Sequence, residues 1–525
     1  MYNILAVDGI AGEGIELLKK DFNVEVHDKI SAEELLEIIP KFDALIVRSA
    51  SKVTAEVISC AKNLKIIGRA GVGVDNIDVQ AATERGIIVI NSPDGNTIAA
   101  TEHTFAMMLA VSRNIPQANR TMHDGGWDRK KFVGVELRNK ILGVIGLGRI
   151  GAGVAKRAQS FEMKVVAYDP FVSADRAESL GVKLVELDEL FKTADFITVH
   201  MPLTKKTENM ISLDQMKLMK PTTRLINCAR GGIINEKDLA EALRTKIVAG
   251  AAIDVFTSEP LDKNSPLIDL PNIILTPHLG ASTVEAQIGV SVDVAHGIID
   301  ALNGKPVSTA VNMPHIPAHV LKKITPYLTL AERLGRTITA MSKEPISNLQ
   351  VRINGKIADT NSSFISTAVL KGVLSTALDA NVNLVNANIL AAERGIHLSE
   401  ITSSIAGDFS NTVTVSANGN SVTGTLFGNE GRIVLINNFR VDVDPHARIL
   451  ICPHINRPGV IGEVGTMLAS HNINISSMQV GKTDIGGTNL MVLTVDNPIS
   501  PEVIAKVKSS EAIFDATLVA FDDAD

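Results

Sequence analysis

A glycine-rich turn set between a strand and a helix constrains this chain more than any other feature. Gly146-Leu147-Gly148-Arg149-Ile150-Gly151 follows the apolar run Lys140–Ile145, which reads as a buried strand. It precedes Val154–Phe161, which reads as the helix that the turn opens. A second apolar run, Lys164–Tyr168, ends in Asp169, about 20 residues beyond the glycines. Glycines let backbone N–H groups approach a pyrophosphate, and a helix N-terminus offers it partial positive charge. A carboxylate at the end of the second strand can accept bonds from both hydroxyls of an adenosine ribose. It repels a 2′-phosphate, so the pattern favours NAD over NADP. Gly146, Gly148, Arg149, Ile150, Gly151 and Asp169 are therefore candidate cofactor contacts.

The same alternation of strands and helices runs through the first 300 or so residues, in an α/β pattern that predicts parallel sheets covered by helices. Ile4–Val7, Ala44–Val47, Lys65–Gly68 and Ile87–Ile90 read as strands, and Ser31–Ile39 and Thr54–Ala61 as helices. Asn96–Ser112 reads as one continuous helix. Strands resume at Phe196–His200, Arg224–Cys228, Ala249–Asp254 and Ile273–Thr276, and Thr283–Leu302 is a second long helix. Two long helices bracketing an inserted unit predict two Rossmann-like domains. The first is discontinuous, at residues 1–98 and 285–312, and the nucleotide domain at 99–284 is inserted into it, with a substrate cleft between.

A chain of 525 residues has room for further domains. Asn312–Pro317 reads as a linker. Residues 317–444 read as an α+β unit, with helices at Pro326–Met341, Ala368–Val385 and Asn386–Arg394. Its strands fall near Leu349–Ile353 and at Ser410–Ser416, Asn420–Gly428, Glu430–Asn437 and Phe439–Val443. Residues 446–525 show strand (Ala447–His454), helix (Val460–Ser470), two strands (Ile473–Gly481, Asn489–Val495), helix (Pro501–Lys508) and strand (Phe514–Ala520). That βαββαβ order is ferredoxin-like. Alternation in Ser477-Met478-Gln479-Val480 predicts a sheet with one face packed on helices.

Composition excludes several classes. A net charge of −7 argues against broad nucleic-acid affinity, and 4% aromatics is low for base-stacking surfaces. The three cysteines, Cys60, Cys228 and Cys452, are too few and too scattered for a disulfide framework or a zinc site, and fit a reducing compartment. No metal is expected. Residues 1–8 already read as a strand, so no secretory signal is expected, and no apolar run is long enough to span a bilayer. The expected location is the cytoplasm, without a membrane partner.

Four constellations carry candidate chemistry. Arg230, in Asn227-Cys228-Ala229-Arg230-Gly231-Gly232, follows a strand and so points toward the ligand crevice. Its planar fork suits the carboxylate of a 2-oxo or 2-hydroxy acid. Cys228 reads as a packed or cofactor-facing residue rather than a nucleophile. His278, in Pro277-His278-Leu279-Gly280, also follows a strand and can exchange the hydroxyl proton during hydride transfer, with Glu259 as the carboxylate that orients it. Arg48-Ser49-Ala50-Ser51-Lys52 and Gly68-Arg69-Ala70-Gly71 place two arginines at strand ends, where they suit a phosphate or second anionic group. Trp127-Asp128-Arg129-Lys130-Lys131 adds charge, as a solvated loop or as an arm reaching a neighbouring subunit. His454-Ile455-Asn456-Arg457-Pro458-Gly459, with Asn474, offers either a capped turn or side chains for an amino acid's charged groups.

Across essentially its whole length the chain resembles the long-form D-3-phosphoglycerate dehydrogenases of the D-2-hydroxyacid dehydrogenase family. The resemblance is carried by Val47-Arg48-Ser49, Gly68 to Asn76, the Gly146 loop, Cys228 to Gly232, Asp254-Val255-Phe256 and Pro277 to Ala281. The third unit is similar to the family's intervening regulatory domain, and the last to an ACT domain. The resemblance implies Arg230, Glu259 and His278 as catalytic residues, and Arg48, Ser49 and Arg69 as contacts to substrate. It implies cofactor contacts at Arg149, Ile150, Asp169, Cys228, Ala229, Arg230, Asp254, His278, Leu279, Gly280 and Ala281, with Asp254 holding the nicotinamide amide. Val72 and Met201 stand where some members carry cofactor-contacting threonines. His454, Asn456, Arg457 and Asn474 fall where members bind L-serine. The implied activity is oxidation of 3-phospho-D-glycerate with NAD in a homotetramer, the first step of serine synthesis, with L-serine as effector. The alternative enzyme is a glyoxylate/hydroxypyruvate or 2-oxoglutarate reductase of the same family. The alternative from another class is an NAD-sensing, corepressor-like binding protein.

Overall fold

A computed structural model of the chain describes all residues except 306, 314–317, 361, 377–381, 406, 447, 483–486 and 522–525, together with the backbone but not the side chains of 318 and 319. The first sheet has five parallel strands, Asn3–Val7, Asn23–His27, Ala44–Val47, Ile66–Arg69 and Ile88–Asn91, in spatial order 2-1-3-4-5. Ala44–Val47 is buried at every position, as a strand covered on both faces by helices must be. Asn23–His27 was not expected. It is a polar, mostly exposed edge strand and carries no apolar run to reveal it.

The second sheet has seven parallel strands. Across the sheet they run Ile273–Leu275, Gly250–Ile253, Arg224–Asn227, Phe196–Val199, Ile141–Ile145, Lys164–Tyr168 and Lys183–Leu184. Strand order reverses beside Ile141–Ile145, where open α/β sheets bind ligands. The helix expected at Val154–Phe161 spans Arg149–Ser160, because the second half of the glycine turn, Arg149–Gly151, already lies in the first helical turn. Helix Thr97–Arg113 packs against this helix and the second sheet. Val284–Leu302 packs on the first sheet through Val290, Val294, Ala295 and Ile298.

The third sheet is mixed, with six strands in the order His397–Ser403, Asn348–Gly355, Asn411–Ala417, Asn420–Phe427, Glu430–Ile436 and Phe439–Val443; only the first pair is parallel. Two helix expectations need correction here. The first helix spans Ala318–Met341, with Pro326 inside it. Proline usually interrupts a helix, but Ile324, Tyr327, Leu328, Leu330, Ala331, Leu334 and Ile338 are all buried against the sheet and carry the helix through. The helix expected at Ala368–Val385 lies at Ser362–Ser375. Beyond it, Asn383 Oδ1 accepts the Val385 N–H at 2.9 Å, a local turn bond that competes with helix; residues 377–381 lie outside the described residues. The two helices cross closely at Gly335 and Gly372: a Cβ on Gly372 would stand 1.9 Å from the Glu332 carbonyl oxygen, and one on Gly335 2.3 Å from that of Val369.

The last unit is a four-stranded antiparallel sheet in the order Ile475–Lys482, Thr488–Val495, Arg448–Ile455 and Thr517–Ala520, with helices Val460–Ala469 and Pro501–Lys508. This is the expected ferredoxin-like topology. Ala447, expected to start its first strand, and residues 314–317 of the expected linker lie outside the described residues. The central strands differ from the expected single packed face. Leu450, Cys452, Met491 and Leu493 face the unit's own helices, while Ile449, Ile451, Leu490 and Val492 join the core of the third unit. Met478, on an edge strand, is exposed.

Candidate active site

A cleft of about 1300 Å³ opens between the two parallel sheets. Arg48 and Ser49 enter it from the loop that follows Ala44–Val47, and Arg69 from the last position of strand Ile66–Arg69. Asp8 builds the first of these loops. Its Oδ2 accepts the N–H groups of Arg48 at 2.9 Å and Ser51 at 3.0 Å, and its Oδ1 accepts the Ser51 hydroxyl at 2.7 Å. Asn76 Nδ2 closes the loop by donating to the carbonyls of Arg48 and Ser51.

Arg69 is half-buried, and its Nε is buried without a hydrogen-bond partner. Burial, and then the nearby charges of Arg230 and Arg48, push it down from 12.5 to about 10. Grouping three guanidinium ions is electrostatically unfavourable, and a buried donor with no acceptor costs about 1–3 kcal/mol. An anion seated among them offsets both. Arg230 approaches from the second sheet. Asn227 shapes its loop, accepting the Ala229 N–H at 3.0 Å and donating to the Arg230 carbonyl at 2.9 Å. Arg230 Nε reaches Asp75 Oδ2 at 3.1 Å, an ion pair that spans the cleft.

His278 stands on the same cleft wall. Its Nδ1 lies 2.7 Å from Glu259 Oε2, and Glu259 Oε1 accepts the Phe256 N–H at 3.0 Å. The carboxylate is fixed at both oxygens and engages Nδ1, which leaves Nε2 for a ligand. His278 adopts a left-handed backbone, φ 55°. Its N–H donates to the Asp254 carbonyl at 2.9 Å, and the N–H groups of Leu279 and Gly280 donate to the Asp254 carboxylate at 2.8 and 2.9 Å. Asp254 is fully buried.

The glycine turn is built for close approach. Gly146 has φ 94°, and a Cβ on Gly151 would stand 2.0 Å from the Gly146 carbonyl oxygen. Gly148 caps helix Arg149–Ser160 with no side-chain bond and has open space where a Cβ would point. The N–H groups of the first helical turn thus face outward without a side-chain cap, as a pyrophosphate site requires. Asp169 is half-buried and accepts the N–H groups of Leu147 and Phe171 at 2.8 and 2.9 Å, which sets its carboxylate beside the turn. Arg149 Nε pairs with Asp94 at 2.6 Å. Ile150 packs with the core beneath the turn, as does Cys228. The Cys228 thiol is pushed up to about 12 by burial and then by Asp254.

The structure thus brings Arg48, Ser49, Arg69, Arg230, Glu259, His278 and Ala281 to one cleft. Val72 lines the same cleft, and Met201 packs against Gly146. The effector candidates divide by exposure. His454 is buried, with Nδ1 2.9 Å from the Ile455 carbonyl and Nε2 without a partner, whereas Asn456, Arg457 and Asn474 are exposed; Asn474 donates to Asp496 at 2.5 Å. Sequence reading missed the roles of Asp8, Asp75 and Asn76, which are short polar residues in turns. It also missed His103, half-buried in the helical run Asn96–Ser112, where an imidazole between Glu102 and Thr104 gives no signal of its own. Among the described residues no helix is long and apolar enough to cross a membrane.

Three stretches match known family models. Residues 105–280 match the D-isomer specific 2-hydroxyacid dehydrogenase NAD binding domain, 323–437 the D-3-phosphoglycerate dehydrogenase intervening domain, and 449–512 the ACT domain. A D-3-phosphoglycerate dehydrogenase of Synechocystis is 47% identical, covering 99% of this chain and 95% of its own length. One from Bacillus subtilis is 42% identical, covering 99% of each. A crystal structure of D-lactate dehydrogenase from Aquifex aeolicus, complexed with NAD and lactic acid, superposes with a TM-score of 0.53 at 28% identity; it covers 57% of this chain and 96% of that one.

Proposed function

The chain belongs to the D-3-phosphoglycerate dehydrogenase family, and on that premise we propose that its cleft oxidises 3-phospho-D-glycerate to 3-phosphooxypyruvate with NAD, the opening step of a route to L-serine. One observation carries the assignment of the cleft: a histidine–carboxylate pair and three arginines, one with a buried unpartnered Nε, share the same cavity.

The uncapped first turn at Gly148 and the carboxylate of Asp169 fit NAD, whose nicotinamide supplies the hydride acceptor when bound. His278 Nε2 takes the proton of the substrate's C2 hydroxyl. Glu259, on Nδ1, fixes the ring's tautomer and stabilises the imidazolium that forms. Arg230 binds the substrate carboxylate and polarises the reacting oxygen. Arg48, Ser49 and Arg69 take the phosphate, whose charge relieves the repulsion among the arginines. Leu279 and Gly280, with Cys228 and Ala229 beside them, would hold the nicotinamide end of NAD. Asp254, expected to hold the nicotinamide amide, has both carboxylate oxygens accepting protein donors and in this reading holds the turn at 278–280.

The ACT domain receives an amino-acid effector in this reading, L-serine, with buried His454 Nε2 as one group awaiting an acceptor or donor. Helix Ile115–His123 buries none of its residues, and Ile115, Met122, Trp127 and Val133 are exposed. We read this arm as a subunit contact of a cytoplasmic homotetramer. The test of the enzyme is NADH formation with 3-phospho-D-glycerate, with and without millimolar L-serine. Turnover supports the dehydrogenase. Reduction of glyoxylate or hydroxypyruvate without any turnover of phosphoglycerate would overturn the substrate. Turnover indifferent to serine would overturn serine as effector.

A further inference from the structure

Behind the catalytic histidine lies a second imidazole outside the cleft, and we infer that His103 is a positioning residue for the reaction, holding the Asp254 carboxylate that in turn holds the turn aiming His278. The inference rests on the dehydrogenase reading above.

Asp254 sits just beyond strand Gly250–Ile253 with no exposed surface. A buried carboxylate is costly unless donors surround it. Here Oδ2 accepts the Gly280 N–H at 2.9 Å. Oδ1 accepts the Leu279 N–H at 2.8 Å and the Thr276 hydroxyl at 2.6 Å, and lies 3.1 Å from His103 Nε2. His103 Nε2 also stands 3.3 Å from Thr276 Oγ1; an ionised carboxylate and a hydroxyl already donating to it can only accept, so Nε2 carries the hydrogen. Burial works to raise the Asp254 pKa, but bonds from His103, Thr276 and Leu279 outweigh it and hold the carboxyl below the usual range.

The turn depends on that charge. Three successive N–H groups, of residues 278, 279 and 280, converge on Asp254 and fix the left-handed conformation of His278. Such a conformation is uncommon for a residue with a side chain and persists where its surroundings hold it. Removing a donor from Oδ1 frees the carboxylate to shift, and the turn shifts with it. The imidazole then loses its alignment with Glu259 and with substrate. His103 comes from helix Thr97–Arg113, so the device ties that helix to the catalytic turn. With Cys228, His103 and Asp254 bring three ligand atoms within 4.8 Å of one another, a spacing that could suit a metal ion. The carboxylate's bonds and a thiol pushed up to about 12 favour the hydrogen-bonded arrangement instead.

The experiment compares wild type, His103→Leu and His103→Gln for kcat and KM with 3-phospho-D-glycerate and NAD. Misplacement of a reacting group by about 1 Å costs on the order of 100-fold, so His103→Leu should lower kcat roughly 10- to 100-fold. KM for phosphoglycerate should stay within about twofold, since the arginines are untouched. Glutamine can donate from nearly the same place and should restore most of kcat. A leucine variant with wild-type kcat, or a glutamine variant as slow as leucine, overturns the inference. If His103→Leu does not fold, Thr276→Val removes the other side-chain donor from Oδ1, and an unchanged kcat there overturns it as well. Wild type without turnover on any 2-hydroxyacid overturns the dehydrogenase reading and the inference with it. Active wild type beside an unaffected variant overturns the inference alone.

Discussion

Arg69 is held in the cleft at a cost. Its pKa, about 10, lies below its ordinary 12.5, so folding disfavours its charge. The sign follows: below about pH 10 the native state carries the full cost, and rising pH relieves it. A bound phosphate reverses this, because it stabilises the charged form. Millimolar inorganic phosphate or 3-phospho-D-glycerate should therefore raise the melting temperature at pH 8, with the increment shrinking as pH passes about 10. In Arg69→Leu the increment should vanish; an equal increment in both proteins would remove Arg69 from the anion site. The histidine–carboxylate pair leads to a second expectation. General-base contributions are roughly 100- to 10,000-fold, so His278→Ala should lose kcat on that scale while still binding NADH, as fluorescence would report. At this scale the sequence was informative where a residue ends a strand: Arg48, Arg69, Arg230 and His278 all enter the cleft. It was silent on Asp8, Asn76 and Asp75, because a short polar residue in a turn looks the same whether it pins a functional loop or only meets water.

Helices and strands were legible in proportion to their burial pattern. Ala44–Val47, Lys164–Tyr168 and Phe439–Val443 match their expected bounds because apolar runs or alternation mark them. The edge strands Asn23–His27 and His397–Ser403 are mostly exposed and gave no such mark. Glycine misled the reading of helix Arg149–Ser160: three glycines look like a loop, yet Gly151 is helical because the helix must run close to the Gly146 carbonyl. Gly151→Ala should consequently weaken NAD binding by at least about tenfold, since a 2.0 Å contact with backbone forces the phosphate turn to move. Calorimetric titration with NAD checks this, and an unchanged Kd would contradict it. Gly372→Val, at the helix crossing of the third unit, should instead lower stability by about 1–3 kcal/mol and leave NAD affinity intact.

Over the whole molecule, the four sheets divide the work. Two parallel sheets enclose the cleft, and a mixed and an antiparallel sheet share a core beyond it. The order of domains was legible because each unit has its own alternation of elements. The fusion of the last two cores was not, since nothing in a strand such as Arg448–Ile455 distinguishes a second face packed on another domain from one packed on solvent-covering side chains. Leu490→Ala, on that shared face, should cost about 2–5 kcal/mol as a buried leucine does, with turnover of phosphoglycerate at low temperature preserved. The central claim, that the arginines select a phosphorylated 2-hydroxyacid, is tested most directly by comparing kcat/KM for 3-phospho-D-glycerate and D-glycerate in wild type and Arg69→Leu. The expected result is a strong preference for the phosphorylated acid in wild type, cut roughly 10- to 100-fold in the variant by loss of charged hydrogen bonds. Equal kcat/KM for the two acids in wild type, or a preference unchanged in Arg69→Leu, would contradict it.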